Sequence, residues 1–188
     1  MYKLFFKRFI DVVLTVLIIL ILSPLYALIA LLIFIGDFGN PIFKQKRVGL
    51  HEKEFVLFKF RSMPINTANV ASSNTSKLKI TRVGKFIRRT NIDELPQIFN
   101  ILFGTMTIVG PRPSLKSQEA LISFRREKNV YSCKPGLTGL TQVNSFDGMS
   151  DNQKAVWDGE YASKITFIID FRIFFRTFVY LSKKPPTY

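Results

Sequence analysis

The residues in this sequence best placed to do chemistry are Asp93 and Glu94, adjacent carboxylates in the run Thr90-Asn91-Ile92-Asp93-Glu94-Leu95-Pro96-Gln97, just after Arg88 and Arg89. Local signals make this stretch a helix start. Asn91 is a favoured N-cap, Glu94 stands three residues on as in a capping box, and Asp93 is itself a candidate cap. Pro96 has no N–H to offer, which suits a first turn, where N–H groups lack intrahelical partners. The helix dipole and the nearby arginines both favour the ionised form of the pair. An ionised carboxylate there serves as a cap, a metal ligand or a nucleophile, and these eight residues alone favour the cap.

Cations and polar groups elsewhere offer further chemistry. Lys59 and Arg61 lie near the end of a strand-like run. Arg112 stands between Pro111 and Pro113, whose rings restrict the backbone. That suits a bidentate grip on phosphate, or else Arg112 is a surface residue in a stiff turn. Gly136 and Gly139 permit close backbone approach to a ligand, with Thr138, Thr141, Gln142, Asn144 and Asp147 supplying hydrogen-bonding side chains. One cysteine, Cys133, excludes an intrachain disulfide framework, and with one histidine, His51, a zinc site is disfavoured. His51, close to Gly49, reads as a turn residue. A metal here would be oxygen-ligated, Mg²⁺ or Mn²⁺.

The elements that must carry these groups are greasy and basic at once. The chain has 188 residues, 47% of them hydrophobic, with 27 Lys+Arg against 13 Asp+Glu, and a mean hydropathy of +0.18. That combination points to an anionic membrane surface, a phosphorylated ligand, or both. A membrane-tethered nucleic-acid binder has only the net charge in its favour: zinc-finger spacing, basic-zipper heptads and RNA-recognition aromatics are all missing from the sequence.

Residues 1–11 form an amphipathic lead-in, with Lys3, Lys7 and Arg8 among phenylalanines, and residues 12–35 are almost wholly apolar. At ~1.5 Å per residue the run is long enough to cross ~30 Å of hydrocarbon. It is too long for a cleaved signal peptide, and no small-residue cleavage site follows. Both flanks are basic, so the positive-inside rule returns a tie. A segment that enters and leaves on one face gives such a tie, and Ser23-Pro24 at the midpoint supplies a breaking point; a kinked spanning helix is the alternative.

Downstream, residues 42–60 predict a β-hairpin, 66–77 a surface loop, and 81–90 a short helix lying in the headgroup layer with Val83, Phe86 and Ile87 down. The Asp93 helix should run to Gly104, a C-cap position. Residues 118–129 read as a charged helix. From about residue 165 to 181 the aromatics fall at helical spacing with Asp170, Arg172 and Arg176 interspersed, which predicts an interfacial helix, and 183–186 should fray. The fold class is thus mainly α with a small β-hairpin, an α+β arrangement. Residues 1–40 are expected to lie in the membrane and 41–188 to form a separate domain with interfacial helices.

Taken together, several blocks resemble the bacterial sugar transferase family, the monotopic phosphoglycosyl transferases. They are the basic-then-apolar start with Ser23-Pro24, FVLFKFRSM at 55–63, TRVGKFIRRTNIDELPQIFNIL at 81–102, MTIVGPRPS at 106–114 and KPGLTGLTQVN at 134–144. The resemblance covers nearly the whole chain in family order, and suggests a minimal, catalytic-core form. It implies transfer of a sugar 1-phosphate from a UDP-sugar to polyprenyl (undecaprenyl) phosphate. It also implies a re-entrant helix broken at Ser23-Pro24, in the bacterial inner membrane with the catalytic domain on the cytoplasmic face. Asp93 would be the nucleophile that forms a covalent phospho-sugar intermediate, and Glu94, with Asp93, would hold Mg²⁺. Lys59, Arg88 and Arg112 would contact phosphate, and Pro111, Thr138, Gln142 and Asn144 would complete substrate binding. Membrane lipids are implied partners and nucleic acid is not; other glycan-assembly enzymes and a homodimer stay open, as do the sugar and the roles of Asp147, Asp158 and Asp170. One departure stands out: the last block continues Ser145-Phe146-Asp147 where many relatives carry Gly-Arg, so Phe146 replaces an expected arginine. The alternative is a non-catalytic basic membrane protein that docks anionic lipids or a partner.

Overall fold

The apolar N-terminal run folds as one helix, α1 (Lys7–Asp37), after a single wide turn at Tyr2–Phe6. The computed structural model describes residues 2–64, 80–145 and 148–182. Pro24 lies inside α1 and does not end it. Its missing N–H orphans the Leu20 carbonyl, and Ser23 Oγ donates to that same carbonyl at 3.0 Å. The expected break at Ser23-Pro24 is therefore not an interruption of the helix, because the neighbouring hydroxyl replaces the lost bond. One side of α1 buries Asp11, Thr15, Ile29 and Ile33, while Val13, Leu17, Leu20, Ile21, Leu31 and Ile35 are exposed on it. The helix is long and apolar enough to cross a membrane.

The two halves of α1 rest on different parts of the body behind it. Near its start, Arg8 donates to the carbonyls of Ile101 and Leu102, and Asp11 accepts from Thr107 Oγ1 and from the Ile108 N–H. Near its end, Ile29 and Ile33 pack with Phe60 and Ile87 in one apolar cluster. A second, larger cluster holds Leu57, Ile98, Ile101, Met106, Val109, Tyr161 and Ile173.

The expected hairpin is present: β1 (Ile42–Val48) pairs antiparallel with β2 (Glu54–Phe60), with His51 in the left-handed region of the turn at φ 54°. Helix α2 (Arg82–Arg89) is capped by the Thr81 hydroxyl, which accepts from the Gly84 N–H at 2.8 Å. Its apolar side is not turned wholly outward as expected. Ile87 is buried and Val83 packs beside it under α1, leaving Phe86 the exposed one of the three. A 3₁₀ turn at Ile92–Glu94 and a short helix, α3 (Gln97–Leu102), follow, and Gly104 at φ 82° closes the run as the C-cap reading requires.

The second half adds a small parallel sheet that the sequence did not announce. β3 (Thr107–Val109) pairs with β4 (Gly136–Thr138), three residues each. A Cβ on Gly136 would lie 2.1 Å from Gly110 N, and one on Gly139 would lie 2.2 Å from Gly110 O. These glycines thus admit the Gly110 backbone rather than the ligand expected there. Helix α4 (Glu119–Glu127) matches the predicted charged helix, and α5 (Leu140–Asn144) and α6 (Asp151–Ser163) follow. Helix α7 (Phe167–Ser182) buries Asp170 and Ile173 and exposes Phe167, Phe171, Phe175 and Phe178. Asp170 accepts from Tyr2 and Tyr161, each at 2.7 Å, and pairs with Lys7 at 2.5 Å, which fastens α7 to the start of α1. The predicted loop at 66–77 and the tail at 183–186 lie outside the described residues.

Candidate active site

The dyad stands on the 3₁₀ turn, not on a helix. Asn91 enters it in the left-handed region at φ 55° and makes no side-chain cap bond. The capping box expected with Glu94 does not form, because the Glu94 carboxylate is drawn elsewhere. Lys59 Nζ, from the end of β2, lies 2.8 Å from Glu94 Oε1. Arg112 grips the same carboxylate with both terminal nitrogens, one of them 3.1 Å from Oε2. Pro96, expected in the first turn, sits at the N-cap position just ahead of α3.

The two carboxylates then diverge. Burial opposes the charge on Glu94, but Arg112 and Lys59 outweigh it and hold the group below the usual carboxylate range. Asp93 is 9% exposed, and no hydrogen bond of its carboxyl is found among the described residues. Burial pushes Asp93 up to about 6; Glu94 adds to the rise, and Lys59, Arg88 and Arg112 resist it. The expectation that both acids are held charged is correct for Glu94 and reversed in direction for Asp93. Neighbouring titratable groups pushed apart in this way suit different chemical roles.

Arg88 reaches the rim of this cluster, its Nε 2.9 Å from Ser62 Oγ. Sequence reasoning missed Arg47, on β1. Burial and the repulsion of Arg112 draw its guanidinium down to about 10, while Glu94 resists. Its Nη1 donates to the Pro113 carbonyl at 3.2 Å, and Nε and Nη2 donate to Gln45 Oε1. Arg125 was missed as well: it donates to the Arg112 carbonyl at 2.8 Å and pairs with buried Asp158, which also accepts from Thr141. The two carbonyls of Arg112 and Pro113 are thus each held by a guanidinium. No spacing in the sequence announces this, since the partners lie far apart along the chain.

The remaining candidates are placed differently. The Pro111 carbonyl accepts from Gly136 N–H at 2.9 Å and so joins the Arg112 loop to β4. Thr138 meets Thr177 on α7, Gln142 donates to the Leu137 carbonyl, and Asn144 bonds the Leu140 carbonyl and Arg176. None of these bonds reaches the dyad. Asp158 and Asp170 are engaged in the ion pairs described above, while Phe146 and Asp147 lie outside the described residues.

Among the described residues no group of three His, Cys, Asp or Glu is gathered that could hold a metal ion by itself. Mg²⁺ commonly takes one or two carboxylates and completes its shell with water and substrate phosphate; Asp93 and Glu94 are the pair that would meet it, with Glu94 already engaged by Lys59 and Arg112. The cluster can therefore receive a multiply charged phosphorylated ligand: four cations, Lys59, Arg47, Arg88 and Arg112, surround two carboxylates, and one of these, Asp93, is buried with no hydrogen bond among the described residues. Exposed phenylalanines on α1 and α7 mark an apolar outer surface. A carboxylate pair ringed by cations, on a body with an apolar outer surface, is the class of site this defines.

Comparison with known proteins agrees. The profile of the bacterial sugar transferase family matches residues 2–184. The chain belongs to the bacterial sugar transferase family. It is 36% identical over 183 residues to a UDP-glucose:undecaprenyl-phosphate glucose-1-phosphate transferase of Klebsiella pneumoniae, covering 92% of this chain and 39% of that protein. It is 36% identical to an undecaprenyl-phosphate galactose phosphotransferase of Salmonella typhimurium, covering 92% of this chain and 40% of the relative. The exopolysaccharide production protein PSS of Rhizobium leguminosarum is 33% identical over 92% of this chain and 93% of its own length. The chain thus spans about two fifths of the length of the first two relatives.

Proposed function

We propose that this protein is a membrane-bound phosphoglycosyl transferase that moves a sugar 1-phosphate from a UDP-sugar to undecaprenyl phosphate. The substrates follow from the names of its relatives. The observation that carries the mechanism is the divergence of the dyad, a buried Asp93 raised in basicity beside a Glu94 locked in its charged form. An Asp93 oxygen attacks the sugar-bearing phosphorus of the UDP-sugar. The phosphoanhydride bond breaks, UMP leaves with the bond's electron pair, and an aspartyl phospho-sugar remains. An oxygen of undecaprenyl phosphate then attacks the same phosphorus, forming the lipid diphosphate sugar and freeing the Asp93 carboxylate. Lys59, Arg88 and Arg112 neutralise charge developing on the phosphoryl oxygens. Glu94 and Asp93 would hold Mg²⁺, which supplies further charge neutralisation when bound. The Pro111 and Thr138 carbonyls, which accept from the Gly136 and Gly110 N–H groups, tie the loop that carries Arg112 to β4, and Thr138, Gln142 and Asn144 would contact substrate.

We read the protein as monotopic, on the cytoplasmic face of the bacterial inner membrane, with α1 entering and leaving on one side. Supporting this, contacts to the same body lie near both ends of α1, at Arg8 and Asp11 and again at Ile29 and Ile33. The deciding experiment for the chemistry is intact-protein mass spectrometry after mixing with UDP-glucose or UDP-galactose alone. A phospho-sugar adduct is expected on wild type and none on Asp93→Asn. An adduct that survives Asp93→Asn but is lost from another carboxylate variant removes Asp93 from the nucleophile's role.

A further inference from the structure

Tyr26 stands two residues beyond Pro24 on α1, on the side turned toward the body. Its hydroxyl donates to the carbonyl of Leu95, the residue after Glu94. Its ring lies 5.5 Å from that of Phe60, the residue after Lys59, and meets Phe99 of α3 edge-on at 5.9 Å. Lys59 and Glu94 are themselves 2.8 Å apart. One side chain of the membrane helix therefore touches the chain neighbour of each partner in the ion pair that holds the dyad.

The other end of the same segment is held too. Arg8 donates to the Ile101 and Leu102 carbonyls at the C-terminus of α3, where a cation also complements the helix dipole. α1 thus fastens the dyad-bearing stretch at Leu95 through Tyr26 and at Leu102 through Arg8. Leu95 O keeps a second bond, from Ile98 N–H at 3.0 Å, so the turn survives without Tyr26. What the hydroxyl adds is a fixed position for the turn relative to β2.

We infer that Tyr26 is a positioning residue, which transmits the seating of the membrane helix to the Lys59–Glu94 pair and hence to Asp93. It touches neither substrate nor reacting atoms. Its effect follows from geometry, since displacement of a reacting group by about 1 Å costs on the order of 100-fold in rate. The inference rests on the proposed phosphoglycosyl transfer, yet it is readable without turnover.

Tyr26→Phe is the sharp variant, because it keeps both ring contacts and removes one hydroxyl. In nanodisc-embedded protein without substrate, hydrogen–deuterium exchange of peptides spanning residues 90–99 should rise by about threefold or more as the turn loosens, while exchange across β3 and β4 stays as in wild type. With UDP-glucose or UDP-galactose and undecaprenyl phosphate, kcat for UMP release should fall about fivefold to tenfold. KM for the nucleotide sugar should stay within about twofold, and the unfolding temperature within a few degrees. Tyr26→Leu, which also removes the ring contacts, should deepen the loss of kcat. Exchange at residues 90–99 that superimposes on wild type overturns the inference, as does a loss of rate that merely follows the folded fraction. If wild type itself releases no UMP from either sugar, the reading of the function fails there, and the exchange measurement still decides the role of Tyr26.

Discussion

Asp93 and Glu94 are neighbours in the chain and differ in charge behaviour because only one of them meets its cations directly. Glu94 takes Lys59 and Arg112 by contact, whereas Asp93 feels Lys59, Arg88 and Arg112 without a bond and takes the full effect of burial. Adduct formation should therefore rise with pH through a midpoint near 6, as Asp93 loses its proton, and level off above it; rapid-quench measurements from pH 5 to 8 check this. Added Mg²⁺ should draw the midpoint down. The same shift sets a stability trend. Asp93 is raised above its ordinary 3.8, so its ionisation opposes folding, with no effect below about pH 4 and the full effect above about 6. Asp93→Asn should accordingly stabilise the metal-free protein at pH 8, on the order of 1–3 kcal/mol, and leave it unchanged at pH 4. Its turnover should fall by about 10³-fold or more. Thermal unfolding at both pH values, beside a UMP-release assay, separates the two effects.

At the scale of elements, the site depends on where β1, β2 and α4 bring their cations and α6 brings Asp158. The loop with Arg112 is short and glycine-bounded, and it is held by Arg47 through the Pro113 carbonyl and by Arg125 through the Arg112 carbonyl. Arg125 is in turn held by Asp158, with both side chains almost fully buried, 4% and 1% exposed. Removing one partner leaves an uncompensated buried charge. Asp158→Asn should cost about 3–5 kcal/mol of stability, read as a lowered unfolding temperature, before any effect on substrate is considered. The hairpin, α2, α4 and α7 were legible because periodicity and turn residues are local signals. The β3–β4 sheet was not, since three-residue strands carry too little pattern and their pairing is decided by a contact between Gly110 and Gly136.

At the scale of the whole molecule, the exposed apolar residues of α1 and α7 give the protein a face that water does not favour. Each of Phe171, Phe175 and Phe178 on α7 is about half exposed, between 52% and 58%. Burying a phenylalanine is worth roughly 1.5–3 kcal/mol. Phe171→Ser with Phe175→Ser should therefore weaken binding of the purified protein to anionic liposomes by at least about tenfold, measured by flotation. Topology has its own test. Cysteines introduced at Lys3 and Lys44 should both be labelled from the cytoplasmic face, against the low background of buried Cys133. Labelling from opposite faces would make α1 a spanning helix.

The sequence by itself determined the family of the protein and its long apolar start, and it singled out Asp93, Glu94, Lys59 and Arg112 as candidates, because those signals sit in short contiguous blocks. It also located the point where Pro24 strips a bond from α1, beside a serine hydroxyl able to replace it. Only the tertiary structure decided that Lys59 and Arg112 converge on Glu94 rather than stand apart, and that Arg47 and Arg125 support the loop between them. It likewise decided that Asp93 is raised where the helix-start reading had it lowered. The reason is physical: a helix dipole and neighbouring arginines are visible in sequence, whereas burial is a property of the packed chain, and at Asp93 burial is the larger effect.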